Sequence, residues 1–363
     1  MRILHWNDGY YPRIGGTETL VRDLCHAQQA AGYQVTVVGR ALPGSPAEEV
    51  MDGIQVWRRP VLDEDLIHQP GLLTRQIKAC AEYKQRFRPE IIHIHGCHMA
   101  GWLHLLSRSA APCPAVLTLH APLHLPAALQ RRVLEEVEIL AAVSASMLAS
   151  FSSQLENRKG PSHVVHNGLA LPEPAPAPPK EVTTVLCLGR MVNEKGFDIA
   201  LRALALVPGV RLIMAGDGIE LPHLQQLSAD LGLDQRVEFR GWVHPTAVPD
   251  LIASADVVLM PSRWEEPFGL VALQAAQMSR PIIASRIGGL PEIVLHDTTG
   301  ILVPPEDPAA MAAALQSLRD HPEIVTRMGG QARSHAEQAF SIAACAAAYD
   351  NLYTSASAGI RAP

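Results

Sequence analysis

The chain of 363 residues lacks any C-x-x-C pair, because its six cysteines (Cys25, Cys80, Cys97, Cys113, Cys187 and Cys345) are scattered. That excludes a paired-cysteine zinc or redox motif and predicts reduced thiols in a cytoplasmic protein. No apolar run reaches the roughly 20 residues that span a bilayer, so no transmembrane segment is expected. The start, Met1-Arg2-Ile3-Leu4-His5-Trp6, is a short strand cut by Asn7-Asp8-Gly9 and not a secretion signal. Surplus positive charge is missing as well, and a net charge of -6 argues against nucleic-acid binding. The deficit is uneven: residues 1–170 balance at +1 and residues 171–363 at -7. Anything anionic, such as a membrane surface, would therefore meet the first half. No internal repeat is found.

What is present is ordinary for a soluble α/β enzyme, with 48% hydrophobic and 18% charged residues. The length exceeds one compact core and predicts two domains. The boundary is Leu171-Pro172-Glu173-Pro174-Ala175-Pro176-Ala177-Pro178-Pro179, whose five prolines give an extended, stiff connector. A first domain over 1–170, a linker over 171–180 and a second domain over 181–340 follow.

On each side short apolar runs alternate with longer helical segments, as in parallel α/β layers. Strands are expected at Arg2–Trp6, Gln34–Gly39, Ile91–His95 and Ala115–Leu119, with short ones near Ala142–Val143 and His163–Val165. Helices are expected at Thr17–Ala31, Leu72–Phe87 and Leu125–Leu140. The second half predicts strands at Thr184–Leu188, Arg211–Ala215, Val237–Arg240, Val257–Met260 and Ile282–Ala284. Two Rossmann-like halves of this kind face each other across a deep cleft at the carboxyl ends of their strands. The tail from Thr354 to Pro363 is expected to fray.

The most informative stretch is Met260 to Val294. A strand runs into a Pro-Ser turn and the carboxylate pair Glu265-Glu266, a helix opens at Phe268-Gly269-Leu270, and a Gly-Gly turn leads to Pro291-Glu292. A carboxylate ahead of helix-start amides suits sugar hydroxyls beside a phosphate. A second segment, Gly189-Arg190-Met191-Val192-Asn193-Glu194-Lys195-Gly196, places a guanidinium and an ammonium five residues apart after a strand. Such a pair can neutralise a diphosphate from two sides. A third, Gly15-Gly16-Thr17-Glu18, puts two glycines before a helix. This serves equally as a tight turn or as room for an anion.

Together these segments resemble the donor site of the family 4 retaining glycosyltransferases (glycosyl transferases group 1). The likeness rests on the Gly-Gly loop, on Gly-Arg…Glu-Lys-Gly, on Glu266, and on ordered matches at Ala215-Gly216-Asp217-Gly218, Leu231-Gly232-Leu233 and Val165-His166-Asn167-Gly168. It runs from about Ile3 to Tyr353 and implies the GT-B fold, with a helix at about 341–353 packing back on an N-terminal acceptor domain. By this resemblance Arg190 and Lys195 grip a leaving nucleoside diphosphate in place of a metal, and no cofactor is implied. Glu266 holds donor sugar hydroxyls. The amides of Phe268, Gly269 and Leu270 meet the sugar and the diphosphate, and Gly15 and Gly16 face the donor phosphate. His120, at the end of Leu117-Thr118-Leu119, touches the sugar, while Ala121 replaces the aspartate the family often has next. Val243 lies against the base, and Trp242 reads equally as a core aromatic.

One position departs. The family's second glutamate, eight residues after the first, is Gln274 here, counted as about 12 Å of helical rise from Glu266. An amide accepts and donates but carries no charge. Losing a charge-assisted bond to the ribose costs about 1–2 kcal/mol, which weakens nucleotide binding but not the chemistry.

Three further clusters are weighed against simpler explanations. His93, His95, Cys97 and His98 fall at one strand end, but no carboxylate completes a metal set. Asp63-Glu64-Asp65 spells a metal-binding string of another glycosyltransferase fold, yet sits in a polar loop. Arg75, Lys78, Lys84, Arg86 and Arg88 form a solvated helix face or a peripheral membrane contact. The expected activity is retaining, metal-independent transfer of a sugar, UDP-linked by the family's habit, to an acceptor hydroxyl set by loops such as 41–70 and 121–130. A sugar-nucleotide epimerase, a phosphorylase and a silent nucleotide-sugar-binding protein are the alternatives.

Overall fold

Fourteen strands make two sheets in the computed structural model, which describes residues 1–13, 15–59, 68–96, 99–122 and 126–361. In the first half these are β1 (Arg2–Asn7), β2 (Gln34–Arg40), β3 (Glu48–Met51), β4 (Ile54–Arg59), β5 (Ile91–His95), β6 (Ala115–Leu119), β7 (Ile139–Ala142) and β8 (Ser162–Val164). They lie in the order β3-β4-β2-β1-β5-β6-β7-β8, parallel throughout except that β3 runs against β4. The second half has β9 (Thr184–Leu188), β10 (Arg211–Ala215), β11 (Val237–Gly241), β12 (Val257–Met260), β13 (Ile282–Ser285) and β14 (Gly300–Val303). Their order, β11-β10-β9-β12-β13-β14, is the doubly wound one, all parallel. Strands buried on both faces must be apolar along their whole length, which is why VLC, VVLM and IIAS are unbroken by charge.

The chain divides into two compact units. Unit 1 holds Met1–Gly168 and the C-terminal helix from Ile342, and unit 2 holds Leu169–Ser341. The core of unit 1 packs Ile3, Ile91, Val116 and Ile139 against Leu24, Leu352 and Tyr353. The core of unit 2 packs Val185, Leu212, Val257 and Ile283 against Leu201, Leu204 and Leu315.

Several expectations need correction. Residues Leu125–Leu140 are not one helix: the helix is Ala127–Glu136, and Ile139-Leu140 open β7, buried between β6 and β8. The hairpin β3–β4 lies where only an unreadable loop was expected. Its Asp52-Gly53 turn takes left-handed angles at both residues (φ 50 and 79), the two-residue connection that suits twisted strands. The C-terminal helix continues to Arg361, so Thr354 is not frayed. Lys84 leaves the basic cluster, since it is 1% exposed and donates to His104 and Ser107. Asp63-Glu64-Asp65, Cys97 and His98 lie outside the described residues. The other cysteines are free thiols.

Candidate active site

In a doubly wound sheet, ligands gather beyond the carboxyl ends of the strands where the order reverses. In unit 2 that point lies between β9 and β12. The loop after β9 carries Arg190 and Lys195, and the loop after β12 carries Glu266.

These two loops are bonded to each other. Lys195 Nζ donates to Glu266 Oε1 at 2.5 Å, and Ser262 Oγ donates to the same oxygen at 2.8 Å. Glu266 Oε2 accepts from no described residue. Glu266 is 5% exposed, whereas Glu265 faces solvent, so the neighbouring carboxylates are not interchangeable. Lys195 Nζ also stands 5.6 Å from the centre of the Trp264 ring. Arg190 is exposed and makes no ion pair with a described residue.

Arg263 clamps the arrangement, and nothing in the sequence reading singled it out. Its guanidinium fork binds Asp198 at 2.6 and 2.8 Å, its Nη1 reaches Asn193 O, its Nε reaches Glu306, and its amide donates to Glu194 O. Burial works to raise the Asp198 carboxyl, but the Arg263 bonds outweigh it and hold the group below its ordinary value. The adjacent Asp198 and Ser262 could have been noticed only as polar residues beside the motifs.

Glycines let the loops meet. Gly216 (φ 130) crosses so close to Gly189 that a Cβ would overlap Gly189 O. Gly288 (φ 58) lies against the Glu266 backbone, and Gly289 N donates to Glu266 O at 2.7 Å. The helix Leu270–Gln277 opens at Gly269 (φ 104), with Phe268 buried against Phe340. Because helix begins only at Leu270, helical rise supplies only about 6 Å of the path to Gln274, and the first four residues from Glu266 are loop. Gln274 is half-buried and its side chain makes no hydrogen bond with a described residue. Trp242 is 65% exposed, which overturns the core alternative. With Val243, Arg240, His244 and Asp250 it lines an open hollow of about 460 Å³ beyond the edge strand β11.

Unit 1 brings a different set together. Gly15 caps the helix Gly16–Ala30 in extended backbone, and the Glu18 carboxylate fills the space that a Cβ on Gly9 or Gly15 would take. The room expected for a ligand anion thus holds the chain's own carboxylate, 3.5 Å from Arg13. His120 follows β6, and its Nε2 lies 3.1 Å from His95 Nδ1 at the end of β5. His95 Nε2 meets His5 Nδ1 at 2.9 Å, and His5 Nε2 meets Gln28 Oε1 at 2.7 Å. His93 bonds Tyr353 OH at 2.7 Å and Thr118 Oγ1 at 2.8 Å.

His5 is the partner that the sequence reading missed: it pairs in register with His93 across β1 and β5. Ligand atoms of His5, His93 and His95 lie within 4.8 Å of one another. All six of their ring nitrogens are engaged by protein groups, so a metal would have to break bonds already formed. Burial drives the three rings toward the neutral form: it pushes His5 down to about 4 despite the Gln28 bond, and His93 and His95 well below their ordinary value.

Comparison with known proteins identifies the family and the fold. Residues 14–171 match the family model Glycosyltransferase Family 4, and residues 182–321 match Glycosyl transferases group 1. The chain is 30% identical to a glycogen synthase of Mycobacterium tuberculosis over 100% of its own length and 97% of that protein's. It is also 30% identical to a D-inositol 3-phosphate glycosyltransferase of Streptomyces avermitilis, over 94% of this chain and 83% of the other. Among solved structures, a sucrose-phosphate synthase from Thermosynechococcus elongatus superposes with a TM-score of 0.84 at 25% identity, covering 99% of each chain. Anabaena HepE in complex with UDP and glucose superposes with a TM-score of 0.75 at 21% identity, covering 98% of this chain and 100% of that one.

Proposed function

Because the chain belongs to the family 4 (group 1) glycosyltransferases and has their GT-B fold, we propose that it moves a sugar, with retention, from a UDP-linked donor to an acceptor hydroxyl without a metal. The observation that carries this is the Lys195–Glu266–Ser262 constellation at the switch point of the unit 2 sheet, with Arg190 exposed in the same loop as Lys195. The relatives in complex with UDP or UDP-glucose support the nucleotide assignment.

In this reading the leaving diphosphate deprotonates the incoming hydroxyl on the same face of the sugar. The protein then needs no side-chain nucleophile, only stabilisation of a cationic sugar and an anionic leaving group. Arg190 and Lys195 meet the diphosphate, with the amides of Phe268, Gly269 and Leu270 at the helix start. Glu266 keeps Oε1 on Lys195 and Ser262 and offers Oε2 to a sugar hydroxyl, which fixes the donor's orientation. His120 serves the donor sugar, Val243 the base and Gln274 the ribose, and Gly15 and Gly16 meet the donor phosphate only once the Glu18 carboxylate swings out of the space beside Gly15. Unit 1 supplies the acceptor side.

The test is a panel of nucleoside diphosphates and nucleotide sugars, read by thermal shift in a chelator and then by turnover. Stabilisation by UDP and UDP-sugars without metal is expected. Glu266→Gln, which keeps the shape but removes the charge, should lower kcat at least about a hundredfold while UDP still binds. Full transfer by Glu266→Gln would discard the site assignment. A shift that appears only with a divalent cation would discard the metal-free grip.

A further inference from the structure

A continuous line of hydrogen bonds joins His120 to the interior of unit 1, and its donors run in one direction. The carboxamide of Gln28, 1% exposed, turns its NH2 to Tyr353 OH at 3.2 Å and its oxygen to His5. An amide oxygen only accepts, so the proton between them belongs to His5 Nε2. A neutral imidazole has one N–H, so His5 Nδ1 accepts, and His95 Nε2 must supply the proton there. His95 Nδ1 is then an acceptor, and its partner, His120 Nε2, must be the donor. On the other side Tyr353 OH, having accepted from Gln28, gives its own proton to His93 Nδ1, and His93 Nε2–H donates to Thr118. The burial of His5, His93 and His95 keeps each ring to one proton, which the bookkeeping requires.

We propose that Gln28, acting through His5 and His95, fixes the proton of His120 on Nε2 and makes Nδ1 its exchangeable nitrogen, so that Gln28 is a positioning residue for transfer. The chain leaves the ring plane of His120 little freedom, since its Nε2–H must meet His95 end-on. A residue held in one tautomer and one plane needs no reorganisation when a ligand arrives. Gln28 touches no reacting group in this scheme and works only by ordering protons.

The kinetic part of this inference rests on the reading of His120 as a donor-site residue, whereas the tautomer does not. The experiment is therefore a long-range proton–nitrogen correlation spectrum of the full chain labelled with 15N-histidine. His120→Gln, by its missing signal, assigns the His120 ring. The wild-type spectrum should show His120 carrying its proton on Nε2, and a ring protonated only on Nδ1 would overturn the proposal with no variant needed. Gln28→Leu removes the amide that directs the chain. In it the His120 signals should move to a mixture of tautomers, with kcat down about tenfold or more and KM for the donor little changed. An unchanged His120 tautomer in a folded Gln28→Leu protein would also overturn it. Absence of transfer by the wild-type chain would count against the proposed function, while the tautomer spectrum would still decide this inference.

Discussion

At the residue scale, the proposed donor site turns on two side chains eight positions apart that differ in charge. Glu266 is buried, and one of its oxygens is already committed to Lys195 and Ser262. Gln274 is half-buried with no hydrogen bond to a described residue, so its amide is available to a ligand. A carboxylate at that position would accept from both hydroxyls of a ribose in charge-assisted bonds. Gln274→Glu should therefore tighten UDP binding by about 1–2 kcal/mol, close to tenfold in Kd, with kcat little changed. Isothermal titration checks it, and an identical Kd would mean that the ribose is held elsewhere. Glu266, Arg190 and Lys195 stood out in the sequence by residue type and by the family's motifs, and the structure bonds Lys195 to Glu266. Arg263 was not, because its value lies in partners at positions 193, 194, 198 and 306 that only the fold brings near. His5 and Gln28 escaped for the same reason: a histidine in a buried strand says nothing until its neighbour across the sheet is known.

At the element scale, unbroken apolar runs announced most central strands, because a parallel strand buried on both faces tolerates nothing else. The failures were physical ambiguities. Ile139-Leu140-Ala141-Ala142 continues the periodic pattern of the helix before it, and only packing between β6 and β8 makes it a strand. The Asp52-Gly53 turn went unread because the strand before it, Glu48–Met51, is largely exposed and weakly patterned, although the strand after it is mostly buried. The glycine turns matter more for function, since they let the loops after β9, β10, β12 and β13 approach within backbone contact. Gly216→Ala and Gly288→Ala should each drive a Cβ into backbone at a left-handed position. Each should lower stability by about 2 kcal/mol or more and weaken UDP binding by moving Arg190 or Glu266. Gly209→Ala is the control: it has φ 79 but nothing within 4 Å, so it carries backbone strain alone. Equal effects at all three positions, in thermal melts and UDP titration, would mean that the close approach does not shape the site.

At the scale of the whole molecule, the two units respond to acid by different groups. Burial lowers the proton affinity of four histidines of unit 1, His5, His93, His95 and His104. In the folded chain His5 protonates only near pH 4, whereas unfolded it does so near 6.5. Between those values the unfolded state binds the extra proton, so stability is complete above 6.5 and is lost as pH falls toward 4. One such residue costs about 1.4 kcal/mol per pH unit in that window, and several together exceed the margin of an ordinary domain. Unit 2 carries the opposite case: Asp198 is held below its ordinary value of 3.8 despite burial, so its contribution is lost only at still lower pH. Single-tryptophan variants retaining Trp6 in unit 1 or Trp264 in unit 2 would report each half by fluorescence during acid titration. The Trp6 signal should change between pH 6.5 and 4, with uptake of more than one proton, and the Trp264 signal at lower pH. A Trp264 transition at the higher pH, or a unit 1 transition that takes up no protons, would remove the buried histidines as its cause. The same neutral rings that make unit 1 acid-sensitive are those whose proton order reaches His120, so the stability of this half and the tautomer of its site residue rest on one set of bonds.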